Sequence, residues 1–153
     1  MDLRAQQSQE PAPEEDVLGA PFRAERMLRN LLSHLDGMVF RCGSDEGARF
    51  EYVSEGCEQL TGYRVAHLQG RSMTDLLHAE DRMVRQQAVS SAVVTGERYT
   101  VQYRMVARDG GVRWVSERGM AVFDGGRDLP ALEGVVEDDT AVASVQLVVT
   151  VGQ

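Results

Sequence analysis

The chain contains no lysine: all 16 of its basic residues are arginine. This absence excludes enzymes that form a Schiff base through lysine and nucleotide-binding loops that need a P-loop lysine. Long apolar runs are also missing, since the longest, residues 145–151, is far too short to cross a bilayer. The N-terminus is acidic and lacks the apolar core of a signal peptide. We therefore expect a cytoplasmic protein with no membrane partner.

Cysteine is scarce, with Cys42 and Cys57 as the two thiols of the chain. They could form one disulfide, but nothing else suggests secretion, so free thiols in a reducing compartment are favoured. The simplest interpretation is two small buried apolar residues, and the alternative is a redox pair. Two cysteines with no histidine at ligand spacing are too few for a tetrahedral zinc site, so we predict no metal.

The net charge of −8 is unevenly placed. Residues 1–17 hold five acidic side chains and one arginine, a net −4, so the other 136 residues also carry −4. This mild negative charge argues against binding to nucleic acid or to an anionic membrane surface. The 42% hydrophobic and 26% charged residues are typical of a globular domain with a real core.

The N-terminal region divides into a tail and a helix. Residues 1–18 are polar and acidic and are expected to be disordered, and residues 19–36 are expected to form an amphipathic helix. Its apolar residues recur at three- and four-residue spacing: Ala24, Met27, Leu28, Leu31, Leu32 and Leu35. This stripe could pack on the domain that follows, pair with the same helix of a second subunit, or do both.

The remaining pattern predicts an α+β fold. Two strands, 38–42 and 49–54, are followed by short helical turns, a long helix from about 79 to 95, and three strands at 99–105, 112–123 and 131–138. Ser54 is positioned to cap the first short helix. The predicted inner face of the long helix consists of Met83, Val84, Ala88, Ser91, Ala92 and Thr95. The last three strands form an antiparallel meander, and the first two must join them in one sheet.

Several short motifs occur in an order that resembles the PAS family. They are Tyr-Val-Ser-Glu-Gly-Cys at 52–57, Leu-Thr-Gly-Tyr at 60–63, Leu-His-Ala-Glu-Asp-Arg at 77–82 and Asp-Gly-Gly-Val-Arg-Trp-Val at 109–115. The resemblance implies a five-stranded antiparallel sheet with short helices on one face and an N-terminal flanking helix. It is similar to the subgroup that precedes diguanylate cyclase, phosphodiesterase or histidine kinase modules.

The resemblance also implies a function. The PAS domain would span residues 37–140, with a linker or tail at 141–153. It would be a sensory and dimerisation module of a bacterial signalling protein and not an enzyme. It would pass a signal from a small-molecule pocket to an output domain or partner protein through the flanking helices. The signal-exit motif would include Asp138 and Thr140, with Asp139 in place of the usual apolar residue. The dimer helix would use Ala24, Met27, Leu28, Leu31 and Leu35.

The family pocket lies between helices and sheet. Residues at such spacing more often form plain core, but the candidate lining residues are Phe40, Tyr52, Leu60, Met83, Tyr103, Trp114 and Met120. The sequence requires no cofactor and leaves its identity unknown. Haem is disfavoured because the long helix lacks histidine, and a cysteine–flavin adduct is disfavoured because the turn at 63–69 lacks cysteine.

Other reactive side chains are assigned structural roles. No nucleophile–base constellation is present, and His34, His67 and His78 are interpreted as capping or packing residues. Glu117 and Arg118 are expected to pair across the sheet. Two alternatives to the plain sensor stay open: a switch of the same fold that uses Cys42 and Cys57, flavin or haem, and a small α+β enzyme that shares only the outline.

Overall fold

A computed structural model describes residues 22–32 and 34–139. The chain divides into two units, Met1–His34 and Leu35–Gln153. The predicted tail at 1–18, the predicted linker at 141–153 and Thr140 lie outside the described residues.

The described part of the first unit contains one helix, α1, at residues 22–32. Its predicted apolar stripe is exposed: Met27, Leu28 and Leu31 keep 56–64% of their accessible surface. Leu35 was predicted to continue this helix, but it lies beyond α1 in a bend that leads to Gly37. The chain therefore leaves the helix before it reaches the turn predicted at Asp36-Gly37.

The second unit contains the remaining elements in the predicted order. They are β1 (Met38–Gly43), β2 (Phe50–Val53), α2 (Cys57–Thr61), α3 (Val65–Leu68), α4 (Arg82–Thr95), β3 (Tyr99–Val106), β4 (Val112–Val122) and β5 (Ala131–Asp138). Two short 3-10 turns, Met73–Leu76 and Ala79–Asp81, precede α4.

The five strands form one antiparallel sheet in the order β2-β1-β5-β4-β3. The last three strands are the predicted meander, and β1 joins them by pairing along β5, from Met38 opposite Val136 to Gly43 opposite Ala131. The predicted fold class is confirmed. The chain's last strand, β5, thus lies at the centre of the sheet, between β1 and β4.

One face of the sheet forms the core. Side chains alternate along a strand, so Met38, Phe40 and Cys42 of β1 point inward while Arg41 points outward. The same alternation buries Val115 and Glu117 of β4. The short helices and α4 cover this inner face and contribute to the same hydrophobic core.

The turn after β2 differs from the prediction in one detail. Ser54 does not cap α2, whose N-cap is Gly56. Instead the Ser54 hydroxyl accepts a hydrogen bond from the Val39 amide at 2.8 Å, and the Ser54 amide donates to the Val39 carbonyl at 2.8 Å. The serine therefore fastens the end of β2 to β1.

The inner face of α4 was predicted correctly only in part: Ala92 is buried and Ala88 packs against the core, as expected, whereas Ser91 and Thr95 are exposed. Met83 and Val84 are 70% and 50% exposed, whereas the buried residues of the helix are Arg85, Val89 and Ala92. Their spacing of four and three residues is that of a single helical face. Arg85 occupies this buried face because Glu117 of β4 supplies an opposite charge in the interior.

Candidate functional site

An ion pair between α4 and β4 lies inside the second unit. The side chains of Arg85 and Glu117 are 3% and 0% exposed. Arg85 Nε donates to Glu117 Oε1 at 2.8 Å, and Nη2 donates to Oε2 at 3.0 Å. This two-pronged geometry matches the planar guanidinium to the planar carboxylate and fixes the helix to the sheet.

Two tyrosines of β3 complete the coordination of the Glu117 carboxylate. The Tyr103 hydroxyl donates to Oε1 at 2.7 Å, and the Tyr99 hydroxyl donates to Oε2. The carboxylate therefore accepts four hydrogen bonds from protein donors. Arg85 Nη2 also lies 3.9 Å from the Cys42 sulfur on β1. We call these five residues the buried Glu117 cluster.

Burial determines the protonation states in this cluster. It raises the pKa of Tyr99 and of Tyr103 well above the ordinary phenol value, and the charge of Glu117 raises both further. Burial by itself would lower the pKa of Arg85, but the charge and hydrogen bonds of Glu117 raise it overall. The tyrosines stay neutral donors and the arginine stays charged, so the cluster has one stable hydrogen-bond pattern at neutral pH.

An open cleft reaches the cluster from the side of α4. Its volume is about 620 Å³, and its lining includes Arg85 itself. The other lining residues come from the loop after β1, the two 3-10 turns and the start of α4: Glu46, Gly47, Ser72, Thr74, Asp75, Leu77, Ala79, Arg82, Met83 and Gln86. A small molecule in this cleft would lie beside one side of the Arg85–Glu117 pair.

The predicted pocket residues do not share one site. Phe40, Leu60 and Tyr103 are buried in the core, and Met83 lines the cleft from the exposed side of α4. Their role as pocket residues stays a prediction.

The other three predicted pocket residues require a correction. Tyr52, Trp114 and Met120 are 38–42% exposed on the opposite face of the sheet from the helices. Strand alternation places them there, as Tyr52 pairs with outward-facing Arg41. The Arg104 guanidinium lies 5.6 Å from the Trp114 ring centroid and covers part of it.

Both cysteines are buried free thiols with different surroundings. Burial raises the pKa of Cys42 to about 12, although the charge of Arg85 lowers it in part. Burial, with the charge of Glu58, raises the pKa of Cys57 to about 11, and its thiol donates to the Tyr63 carbonyl at 3.4 Å. These values oppose a reactive thiolate at either position.

The charged strand residues behave differently from one another. Arg118 pairs across strands with Glu137 at 2.8 Å on the exposed face, as predicted. Glu117 has the predicted cross-strand partners, Tyr99 and Tyr103 of β3, but it faces the interior and also pairs with Arg85 of α4, which was not predicted. The cause is again alternation, because neighbours in a strand point to opposite faces.

Sequence reasoning missed Arg85. The signal that would have identified it is positional, because Arg85 lies four residues before Val89 and seven before Ala92 on one helical face. A charge on a buried helix face requires an opposite charge at an inward strand position, which Glu117 supplies two residues after Val115.

The remaining predicted residues have local partners. The Arg113 guanidinium donates to the Gln59 carbonyl at 3.1 Å and lies 3.9 Å from the Asp138 carboxylate. The ring nitrogens Nδ1 of His67 and His78 accept from the backbone amides of Arg64 and Glu80. His34 Nδ1 contacts the Asn30 carbonyl. Within residues 22–32 and 34–139, no cluster of His, Cys, Asp and Glu could hold a metal ion.

A five-stranded antiparallel sheet with short helices on its core face is the architecture of a PAS domain. A family model described as the PAS fold matches residues 50–136, more than half of the chain. The chain belongs to the PAS fold family.

The curated relatives of the chain include an animal protein and a bacterial one. Hypoxia-inducible factor 1-alpha of Gallus gallus is 28% identical over 118 residues, covering 72% of this chain and 14% of that protein. A blue-light-activated histidine kinase of Brucella ovis is 39% identical over 69 residues, covering 45% of this chain and 13% of that protein. The chain thus spans about one seventh of the curated relatives it matches.

A solved structure shows the same fold. The N-terminal domain of a diguanylate cyclase with PAS/PAC sensor from Marinobacter aquaeolei has a TM-score of 0.58 at 22% identity, covering 71% of this chain and 99% of that one. The helices in the described part of the chain are each too short or too polar to span a membrane.

Proposed function

We propose that this chain is a PAS sensory and dimerisation module of a bacterial signal-transduction protein. It acts in the cytoplasm, carries no catalytic activity of its own, and passes a signal to an output domain or partner protein. Similarity to domains of a histidine kinase and a diguanylate cyclase supports this class of output. The open cleft beside Arg85 supports a small-molecule input.

The observation that carries the dimerisation part of the proposal is the exposed apolar stripe of α1. Met27, Leu28 and Leu31 recur at three- or four-residue spacing, and each exposes more than half of its surface. Such a contiguous apolar stripe is unfavourable in water and is buried when two identical helices pair.

The experiment is a comparison of oligomeric states by analytical ultracentrifugation. The full chain is expected to be a dimer, and Leu31→Glu is expected to dissociate it because the new charge lies in the apolar stripe. Asn30→Glu adds the same charge on the polar side of α1 and should leave the dimer intact. A monomeric full chain at high concentration, or equal dissociation by both variants, would contradict the proposal.

A further inference from the structure

The cleft beside Arg85 has a preformed wall. The Ser72 hydroxyl donates to the Gly47 carbonyl, the Thr74 hydroxyl donates to the Glu46 carbonyl at 2.6 Å, and the Met73 amide donates to the Ala48 carbonyl at 2.9 Å. These bonds hold the loop after β1 against the 3-10 turn Met73–Leu76. The first turn of α4 forms the opposite wall, so a ligand would meet an ordered surface on both sides.

Arg85 lines the cleft, and one of its nitrogens forms no hydrogen bond within residues 22–32 and 34–139. Nε and Nη2 bond to Glu117, while Nη1 has no hydrogen-bond partner among the described residues. No fully buried side-chain nitrogen or oxygen in the described region lacks a partner, so Nη1 must retain access to solvent. Since Arg85 is 98% buried but lines the cleft, we infer that Nη1 is accessible from it.

A second cation lines the same cleft one turn away. Arg82 is three residues before Arg85, a spacing that brings two side chains to one side of a helix. It is exposed, and it forms no ion pair with a carboxylate of residues 22–32 or 34–139. The side chains of two arginines therefore line one volume.

We propose that this cleft binds a small carboxylate-bearing molecule, whose carboxylate lies between Arg82 and Nη1 of Arg85. Guanidinium groups recognise carboxylates through charge-assisted, directional hydrogen bonds. The lining acids Glu46 and Asp75 repel a highly charged anion such as phosphate and attract an ammonium group, so an amino acid fits as well as a simple carboxylate. The proposal rests on the proposed sensory function and names its input.

A ligand bound at Arg85 would also affect the contact between α4 and the sheet. Arg85 is the residue through which α4 contacts the Glu117 carboxylate on β4. A carboxylate at Nη1 competes with Glu117 for the same guanidinium, which changes the balance of hydrogen bonds at the helix–sheet contact. Binding therefore changes the contact between α4 and β4 as well as the protein surface.

The test is titration of the full chain with acetate, succinate, glutamate and inorganic phosphate, followed by calorimetry and by NMR of the arginine Nε–Hε signals. We expect at least one carboxylate to bind more tightly than phosphate and to shift the Arg85 signal. Arg82→Gln should weaken that binding at least about tenfold, because hydrogen bonds between charged groups are strong. Arg98→Gln removes an exposed arginine away from the cleft and should leave the affinity unchanged.

A second variant tests Arg85 without leaving an unpaired charge in the core. Arg85→Met combined with Glu117→Gln removes both members of the ion pair, and circular dichroism verifies that the variant is folded. It should also lose at least about tenfold in affinity.

Three outcomes would overturn the proposal: no carboxylate binds at millimolar concentration, phosphate binds more tightly, or Arg82→Gln and Arg98→Gln weaken binding equally. The ultracentrifugation result for Leu31→Glu is independent of all three, so failure here leaves the proposed sensory module testable by itself.

Discussion

At the scale of single residues, Glu117 is the charge around which the interior is arranged. Four donors from α4 and β3 meet its two oxygens, and the side chain has no exposed surface. Such a pair adds little stability relative to a well-packed apolar pair, because both charges lose their hydration. Removal of one partner is different, since it leaves the other charge buried and uncompensated.

We therefore expect Arg85→Met to lower the free energy of unfolding by about 3–5 kcal/mol. The carboxylate would retain the two tyrosine hydrogen bonds but lose its counter-charge. Urea denaturation monitored by circular dichroism measures the change.

The matched control for this prediction is the double variant Arg85→Met/Glu117→Gln. It removes both charges while an amide oxygen still accepts from Tyr99 and Tyr103, so it should recover most of the lost stability. If the double variant loses as much free energy of unfolding as the two single variants lose together, the two side chains are not coupled as the geometry requires.

A second residue-scale prediction concerns acid stability at Glu51. Two hydrogen bonds from Arg127, at 2.6 and 2.7 Å, and one from Arg41 lower the pKa of Glu51 from 4.5 to about 2. A pKa that is lower in the folded state gives stability that is complete above about pH 4.5 and is lost as the pH falls toward 2.

Glu51→Gln should therefore lower the free energy of unfolding near neutral pH and make it fall less steeply as the solution is acidified. Urea midpoints from about pH 6 to about pH 3 measure both effects. Glu97→Gln is the control, because Glu97 is exposed and pairs with no described arginine. An equally steep acid decline in the Glu51 variant and the unmodified chain would contradict the assignment.

At the scale of elements, the close approach of β4 to β5 depends on two opposed glycines. Gly119 pairs with Gly134 in the sheet. A Cβ atom at Gly119 would lie 2.7 Å from the Tyr99 hydroxyl and 2.9 Å from the Glu133 carbonyl. Both distances are too short for a carbon atom, so the strand and the Tyr99 ring would have to move together.

We expect Gly119→Ala to destabilise the domain by about 1–3 kcal/mol and to displace Tyr99 from Glu117. Thermal denaturation measures the first effect, and the chemical shifts of the Tyr99 ring report the second. Gly47→Ala is the control, because its Cβ would meet only the Asp45 side chain, at 3.8 Å. Similar losses in the two variants would contradict the steric argument.

Most of these elements were predictable from the sequence. The alternation in 99–105, the Asp109-Gly110-Gly111 turn and the run 131–138 placed the meander correctly, and β5 has its predicted bounds. Local patterns are sufficient there because each strand has one apolar face and a glycine turn at its end. The sequence also predicted that β1 and β2 join the meander in one sheet, but the pairing of β1 with β5 came from the structure.

The site was less predictable, and for a physical reason. Hydrophobic patterns locate buried positions by their apolar residues. The prediction therefore missed Arg85 and placed the exposed Met83 and Val84 inside, although it located Ala92 correctly. The pocket prediction was wrong for the opposite reason at Tyr52, Trp114 and Met120. These side chains are large and apolar in character but lie on the exposed face of the sheet. Aromatic residues are common on open sheet faces, where burial depends on strand parity and not on residue type.

At the scale of the whole molecule, α1 requires a stabilising contact beyond its own backbone hydrogen bonds. Its described part covers 22–32, and isolated helices shorter than about 12–15 residues are marginal in water even with favourable sequences. Met27, Leu28 and Leu31 are exposed, so their burial against a second subunit is the stabilising contribution that the proposed dimer supplies.

We therefore expect the amide hydrogens of α1 to exchange more slowly as the protein concentration rises, because protection of this helix is linked to dimer formation. Hydrogen exchange with mass spectrometry at dilute and concentrated conditions measures this directly. Amides of β5, which pairs with strands on both sides, serve as the internal control and should exchange at the same rate in both. Leu31→Glu should abolish the concentration dependence in α1. Protection of α1 that is equal at all concentrations would mean that the helix is stabilised within one chain, and would exclude the pairing of α1 as the dimer contact.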